Sequence, residues 1–111
     1  MSPFWDTLDF TWHQTGLNGH QAYVDPDGRV RFVMSIADPG VANWLDPMGL
    51  PQGQCMFRWY DGPALAAPDA RVVKLGELDA SLPVGTLRVT PQQRREAIRA
   101  RSRGSLRRWN F

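Results

Sequence analysis

Apolar and polar side chains alternate most regularly between residues 29 and 36. A period of two is expected of a strand that buries one face. Another extended segment, residues 20–24, precedes it, and Asp-Pro-Asp-Gly at 25–28 joins the two with residues that favour a tight turn. The pattern predicts a β-hairpin, and one face of its second strand would carry Val30, Phe32, Met34 and Ile36.

Two later segments have the composition of strands. Residues 54–60 (QCMFRWY) alternate, with Cys55, Phe57 and Trp59 on one side, and residues 70–75 (ARVVKL) form a shorter apolar run. We expect the Cys55 thiol to face inward as a buried structural cysteine, because nothing in the sequence supplies the base that a nucleophilic thiol needs.

Residues 38–53, DPGVANWLDPMGLPQG, contain three prolines and three glycines. This composition predicts a long, stiff loop and not a helix or a paired strand. We interpret Trp44 as an inward-pointing plug, with Asn43 and Asp46 tying the loop backbone through side-chain hydrogen bonds. Ligand binding by the same three residues stays open as an alternative.

The last predicted element is an arginine-rich helix. Thr90 is a suitable N-cap, Pro91 fits the first helical position, and Gln93 completes a capping box. Gly104 fits the position of a C-terminal cap. The helix is therefore predicted to start at 91 and to stop near 104.

Together these elements predict a single, mainly β domain over residues 1–111. We expect a small antiparallel sheet or half β-sandwich, jelly-roll-like in outline, as a β-rich body over 1–90, closed by a C-terminal basic α-helix and tail over 91–111. Five tryptophans and five phenylalanines predict a dense aromatic core. A chain of this length buries only roughly two-thirds of its unfolded surface, so a homodimer or a partner domain is also expected.

Charge is divided unevenly along the chain. Residues 91–111 carry seven arginines against Glu96, and residues 1–90 carry six basic and ten acidic side chains, so the net charge of +2 hides a basic helix and an acidic body. A basic helix suggests phosphate binding. However, we expect the arginines to point around most of the helix, and no aromatic residue lies within it to stack on bases. An exposed helix that is packed by its end residues, or one that docks against an acidic partner, is therefore favoured over nucleic-acid binding.

Several classes of site are disfavoured by composition. Cys55 is the only cysteine, so no intrachain disulfide can form. His13 and His20 lack the spacing of a metal site, so we expect neither a metal nor another cofactor. The first ten residues do not resemble a signal peptide, and the longest apolar run is too short to span a membrane. A cytoplasmic location is therefore expected.

No set of residues predicts a reaction, and no catalytic or metal-ligating residue is assigned. We expect a non-catalytic binding or assembly module, with a small apolar or carbohydrate-like ligand on the side of Trp44 and Trp59. The alternatives are an enzyme acting on a lipid or sugar-like substrate through loop residues, and nucleic-acid binding through the arginine-rich helix. The candidate ligand-binding residues are His20, Asn43, Trp44, Asp46, Arg58 and Trp59.

Several motifs of this chain occur together in one known family. They are LNGHQA at 17–22, DPGV at 38–41, NWLD at 43–46, FRW at 57–59 and RVVKL at 71–75. With this set, residues 10–103 resemble the C-terminal segment of bacterial proteins that carry the domain of unknown function 1214, and the Asn-Trp-Leu-Asp loop is the specific part. Pro47 and Leu50 depart from the family's pattern, which has threonine and often histidine at these positions.

The resemblance to the domain of unknown function 1214 implies a β-sandwich or jelly-roll-like fold. It implies no reaction, since the family has no established activity to carry over. Its members are several times longer, with a large region before this segment. This chain would therefore be a truncated or stand-alone version, with a missing N-terminal partner domain or a homodimer in its place.

Overall fold

The computed structural model describes residues 1–62 and 67–109. Its regular elements are two short strands, β1 (Val33–Met34) and β2 (Trp44–Leu45), a 3₁₀ turn (Leu75–Glu77), and two helices, α1 (Leu78–Ser81) and α2 (Pro91–Arg107). The rest of the described chain runs as loops and turns around the β1–β2 pair. Side-chain hydrogen bonds to backbone groups hold many of these turns closed.

The prediction of a mainly β fold is wrong. Strand accounts for 6% of the described residues and helix for 23%. The two strands pair in parallel, with Val33 opposite Trp44 and Met34 opposite Leu45. The described residues therefore contain neither the expected antiparallel sheet nor a half β-sandwich or jelly roll.

The turn of the predicted hairpin does form. The Asp25 N–H donates to the Arg29 carbonyl at 2.8 Å, and Gly28 has the positive φ of 81° that this turn requires. The Arg31 guanidinium folds back onto both turn carboxylates, at 2.6 Å from Asp25 Oδ2 and 2.8 Å from Asp27 Oδ2. Its hydrogen bond lowers the pKa of Asp27 to about 2. The turn is thus closed by its own side chains.

The two segments of the predicted hairpin, 20–24 and 29–36, do not pair, because the Asn43 side chain binds the backbone of the first. Tyr23 donates its N–H to Asn43 Oδ1 at 2.8 Å, and its carbonyl accepts from Asn43 Nδ2 at 2.8 Å. The Asn43 amide thereby satisfies the backbone groups that a strand partner would otherwise bind. The N–H of Val33 donates instead to the Asn43 carbonyl at 2.9 Å, which starts the parallel β1–β2 pair.

The segments 54–60 and 70–75 are not strands either. Residues 53–59 form no helix, turn or strand, and the rings of Phe57 and Trp59 stack with centroids 5.9 Å apart, as alternate side chains of an extended chain can. Cys55 is exposed and does not face inward. The described sheet has two strands of two residues each, so it offers these segments no long edge to pair with.

The loop at 38–53 pairs with the segment that leads into α2. The Ala42 N–H donates to the Leu87 carbonyl, and the Val89 N–H donates to the Gly40 carbonyl, both at 2.9 Å. These two bonds fix the start of α2 against the loop.

The start of α2 is confirmed and its predicted end is wrong. The Gln93 N–H donates to Thr90 Oγ1 at 3.1 Å, and Gln93 Oε1 accepts the Thr90 N–H at 2.8 Å, which is the predicted capping box with Pro91 in the first turn. The helix passes through Gly104 and ends at Arg107. An interior glycine costs only about 1 kcal/mol relative to alanine, and leucine and arginine follow it. Among the described helices, none is long and apolar enough to cross a membrane.

The core is small and largely polar. In the described chain the buried apolar side chains are Val41, Trp44 and Leu78, and the buried polar ones are Gln14, Asp25, Asn43, Arg94 and Ser102. The expected dense aromatic core is therefore absent from the described residues, since Trp44 is the one aromatic side chain that is buried there. Hydrogen bonds between distant segments, and not a large apolar core, hold the body together.

Candidate functional site

The loop at 38–53 is built around the guanidinium of Arg94, in the first turn of α2. Arg94 is buried, and its Nε and Nη2 donate to the Asp38 carboxylate at 2.8 and 3.3 Å. Its Nη1 donates to the Ala42 carbonyl at 3.2 Å, and Nη2 also donates to the Val41 carbonyl. A buried charge is tolerated when it is paired and its donors are satisfied, and both conditions hold here.

Gln14 completes this arrangement from the N-terminal segment. Its Oε1 accepts from Arg94 Nη1 at 3.2 Å, while its Nε2 donates to the carbonyls of Ala42 (3.1 Å) and Trp44 (2.7 Å). We call Arg94, Gln14 and Asp38 the Arg94 anchor. It joins the N-terminal segment, the loop and α2 at one point.

Trp44 points inward as predicted, whereas the Asn43 amide binds the Tyr23 backbone and not, as expected, the backbone of its own loop. Trp44 is buried, its Nε1–H donates to the Ser35 carbonyl at 2.9 Å, and the Arg94 guanidinium carbon lies 5.2 Å from its ring centroid. Asn43 is also buried, with its amide bonded to the Tyr23 backbone. Neither side chain is available to a ligand without breaking these contacts.

Asp46 ties the end of the loop. Its Oδ1 accepts the Met48 N–H at 2.7 Å, and its backbone N–H donates to the Gln14 carbonyl at 2.9 Å. Its Oδ2 lies 2.9 Å from Nδ1 of His13, whose side chain is 41% exposed. The carboxylate therefore orients the imidazole ring, and the His13–Asp46 pair is the only histidine–carboxylate contact in the described chain.

The other predicted site residues lie apart from the loop. Trp59 stacks on Phe57, which packs edge-on against Phe32 with centroids 6.0 Å apart, so the three form a partly exposed aromatic row. Arg58 and His20 are exposed. The structure therefore gathers three of the six predicted residues in the loop and leaves the other three at separate positions.

A cavity of about 380 Å³ opens between β1, the end of the loop and the start of segment 54–60. Its walls are mostly apolar, and Asp46 is the acidic residue among them. Trp44 and Trp59 do not line it. The apolar side chains that line it include Leu8, Phe32, Met34, Ile36, Leu50, Met56 and Phe57.

Cys55 also lines the cavity, but nothing activates it. Partial burial raises the pKa of its thiol above the usual value, so the thiol form dominates at neutral pH. Within residues 1–62 and 67–109, no group of three or more His, Cys, Asp or Glu side chains could hold a metal ion. The described geometry thus offers a cavity and no converging set of reactive groups.

The prediction of site residues misses the Arg94 anchor and His13. Arg94 is one of seven arginines in a basic segment, and only its position four residues before Ile98 places it on the weak apolar face of the helix. Gln14 carries no local signal, because its partners are roughly 30 and 80 residues away. Asp38 resembles any turn-forming aspartate beside a proline.

No family model, curated protein or solved structure matches this chain. Membership in the family of the domain of unknown function 1214 therefore stays a prediction. The function proposed below rests on the geometry of the chain itself.

Proposed function

We propose that the protein is a non-catalytic binding module that takes a small apolar ligand in the cavity beside the loop. The cavity carries this proposal. Its volume of about 380 Å³ falls in the range of roughly 300–1,000 Å³ that small-molecule sites occupy. Its apolar walls favour an aliphatic or aromatic ligand over a carbohydrate-like one, which would need several free hydrogen-bonding groups around it.

The polar residues of the loop support a binding role because they already serve the fold. Throughout the described chain, every fully buried side-chain nitrogen or oxygen has a hydrogen-bond partner. The Arg94 anchor and Asn43 bind backbone groups, and Asp46 binds His13 and the loop backbone. An enzyme using His20, Asn43, Asp46 and Arg58 would need these side chains to converge on a substrate, and the described geometry does not bring them together.

Flexible side chains give the cavity walls room to adapt. Met1, Met34 and Met56 all line the cavity. Methionine is unbranched and polarizable, so it fits ligands of different shape with little strain. We therefore expect graded affinity along a series of apolar molecules and not an absolute requirement for one of them.

The test is titration of the protein with 1-hexanol, 1-octanol and 1-decanol by isothermal titration calorimetry. We expect affinity to rise with chain length, by about 0.8 kcal/mol for each additional buried methylene, and a negative heat-capacity change on binding. The variant Leu50→Trp fills the cavity and should weaken binding at least tenfold. Val84→Trp is the matched control, because Val84 is fully exposed in a distant turn. Equal affinity of the two variants, or no binding of any alcohol, would refute the cavity as the site.

A second candidate role, assembly with another protein surface, is favoured by the exposed area. The chain exposes 8710 Å², whereas a folded monomer of 12.6 kDa is expected to expose about 6,200 Å². The excess is several times the roughly 800 Å² that each partner buries in a standard interface. The unpaired segment 54–60, with Trp59 at 47% exposure, is the surface that we propose for a second copy or a partner domain.

Light scattering across protein concentrations tests assembly with a second copy. We expect a dimer for the wild type and for Val84→Glu, and a shift to monomer for Trp59→Glu, which places a charge on the aromatic row. If the protein is a monomer at all concentrations, the proposal of a homodimer is refuted. If the alcohols also failed to bind, the whole proposal of a binding or assembly module would fall.

A further inference from the structure

The arginines of α2 form two groups, one docked on the body and one exposed to solvent. The sequence alone does not distinguish them. Arg94 and Arg101 point toward the body: the first forms the anchor, and Arg101 Nη2 donates to the Gly16 carbonyl at 2.7 Å. On the same side, Ser102 Oγ donates to the Thr11 carbonyl at 2.8 Å. The face that docks on the body is therefore fixed by contacts along three turns of the helix.

The exposed arginines of α2 lie along one oblique row, which turns by about 120° around the helix from its first member to its last. They recur every fourth residue at Arg95, Arg99, Arg103 and Arg107, and all four are exposed. Residues four apart are neighbours on a helix surface, and a rise of 1.5 Å per residue spaces these arginines by about 6 Å over a total of about 18 Å. The arginines of α2 together do point around most of the helix, as expected, but burial separates the two docked ones from the four exposed ones.

The arginine stripe, as we call Arg95, Arg99, Arg103 and Arg107, is not neutralised within the described chain. No salt bridge there involves any of its members, and Glu96, the nearest carboxylate in sequence, accepts a hydrogen bond from Gln92 at 3.2 Å. A row of unpaired guanidinium groups creates a strong local positive potential.

We infer that the arginine stripe binds the sugar-phosphate backbone of a nucleic acid without reading its sequence. Phosphate groups accept the paired N–H donors of guanidinium particularly well. A regular row of cations also matches a regular polyanion better than an irregular acidic protein surface. Because all four arginines project from one helix, the backbone fixes the spacing of their points of attachment before binding.

The geometry favours a nucleic acid over an anionic membrane. A helix that lies in a membrane interface needs an apolar face to insert. In α2 the face that carries Arg94, Ile98 and Ser102 lies about 100° around the helix from the stripe, and it is docked on the body. Gln92 and Glu96 flank the stripe at its start, and exposed large apolar side chains occur only at its end, at Leu106 and Trp109. The exposed side of α2 therefore carries charge along its length but no continuous apolar face to insert.

The stripe also makes a prediction about salt. For duplex DNA, the logarithm of the binding constant falls with the logarithm of salt concentration with a slope of about −0.9 for each phosphate neutralised. Four contacts give a slope of up to about −3.6, which is about a 150-fold loss of affinity between 50 and 200 mM salt.

The experiment is fluorescence anisotropy of a labelled 20-base-pair duplex and of its single strand, titrated with the whole protein at 25 to 200 mM salt. The double variant Arg99→Gln/Arg103→Gln should reduce the salt slope by about 1.8 and weaken binding at least tenfold at low salt. Glutamine is a good helix former, so α2 should keep its circular dichroism signal.

The control variant removes the same charge elsewhere. Arg29→Gln/Arg71→Gln deletes two exposed body arginines and should leave affinity within about threefold of the wild type. Equal losses in the two double variants would show that net charge and not the stripe is responsible, and would overturn the inference. So would the absence of binding at 25 mM salt, or tighter binding to phosphatidylserine vesicles or polyglutamate than to either nucleic acid. None of these outcomes bears on the cavity, because α2 does not line it.

Discussion

Deleting the Arg94 side chain is the sharpest test of the polar core. In Arg94→Ala, the buried carbonyl of Val41 and the buried amide of Gln14 each lose a donor that water cannot readily replace. The Asp38 side chain is 32% exposed and can rehydrate, so its loss is smaller. Leaving a buried acceptor unsatisfied costs about 1–3 kcal/mol. Removing one partner of a buried ion pair costs about 3–5 kcal/mol in total.

Such a loss is large for this chain. Small domains are stable by only about 5–15 kcal/mol, and three buried apolar side chains place this protein toward the lower end. With a urea dependence of about 1–3 kcal/mol per molar, the Arg94→Ala midpoint should fall by about 2 M or the protein should be partly unfolded without urea. Arg94→Lys keeps the charge but loses the planar fork of donors, so its midpoint should lie between those of wild type and Arg94→Ala.

Urea unfolding followed by circular dichroism at 222 nm measures these midpoints. Arg95→Ala is the matched control, since Arg95 is exposed on the same helix turn and should change stability by no more than about 0.5 kcal/mol. If Arg94→Ala and Arg95→Ala unfold at the same urea concentration, the Arg94 anchor does not hold the loop and the reasoning fails.

Three further outcomes follow from individual contacts. Thr90→Ala should destabilise the protein by about 1 kcal/mol by removing the N-cap, whereas Gln92→Ala should not, and urea midpoints will distinguish them. Asp27 has a lowered pKa in the folded state, so its contribution to stability is present above about pH 4 and is lost as pH falls through about 2. Carboxyl NMR should give a midpoint near 2 in the wild type and a higher one in Arg31→Ala, which stays below the free value because the Arg29 N–H still donates to Asp27 Oδ1. Cys55 should react slowly with iodoacetamide at pH 7 despite its exposure, because burial raises the pKa of its thiol and lowers the thiolate fraction. The midpoint of its rate against pH should lie above that of a free thiol, and a midpoint below it would contradict the partial burial of the thiol.

Local features of this chain were predictable because the residues that cause them are neighbours in sequence. The capping box of Thr90 and Gln93 joins residues three apart, and the turn at 25–28 closes on its own proline and glycine. The loop at 38–53 could be recognised from its prolines and glycines, and Trp44 from being the one large apolar ring within it. Each of these inferences needs only steric and hydrogen-bonding preferences within a few residues.

The predicted sheet failed because alternation describes a segment and not its partner. Residues 29–36 have the period of a strand, yet pairing depends on which backbone groups reach them. The Asn43 side chain forms hydrogen bonds with both the N–H and the carbonyl of Tyr23. β1 pairs instead with Trp44–Leu45, in the loop that was expected to stay unpaired. Similar local patterns led to wrong predictions of strands at 54–60 and 70–75. The described chain offers these segments no long sheet edge with which to pair.

The amino-acid sequence by itself determined the start of α2, the turn at 25–28 and the uneven distribution of charge. Tertiary structure decided which arginine is buried and which are free. Arg94 and Arg95 are neighbours with the same chemistry, but α2 turns the first onto Gln14 and Asp38 and the second toward solvent. Their environments differ because Arg94 is paired across more than fifty residues of chain, and no pattern within one segment encodes such a distance.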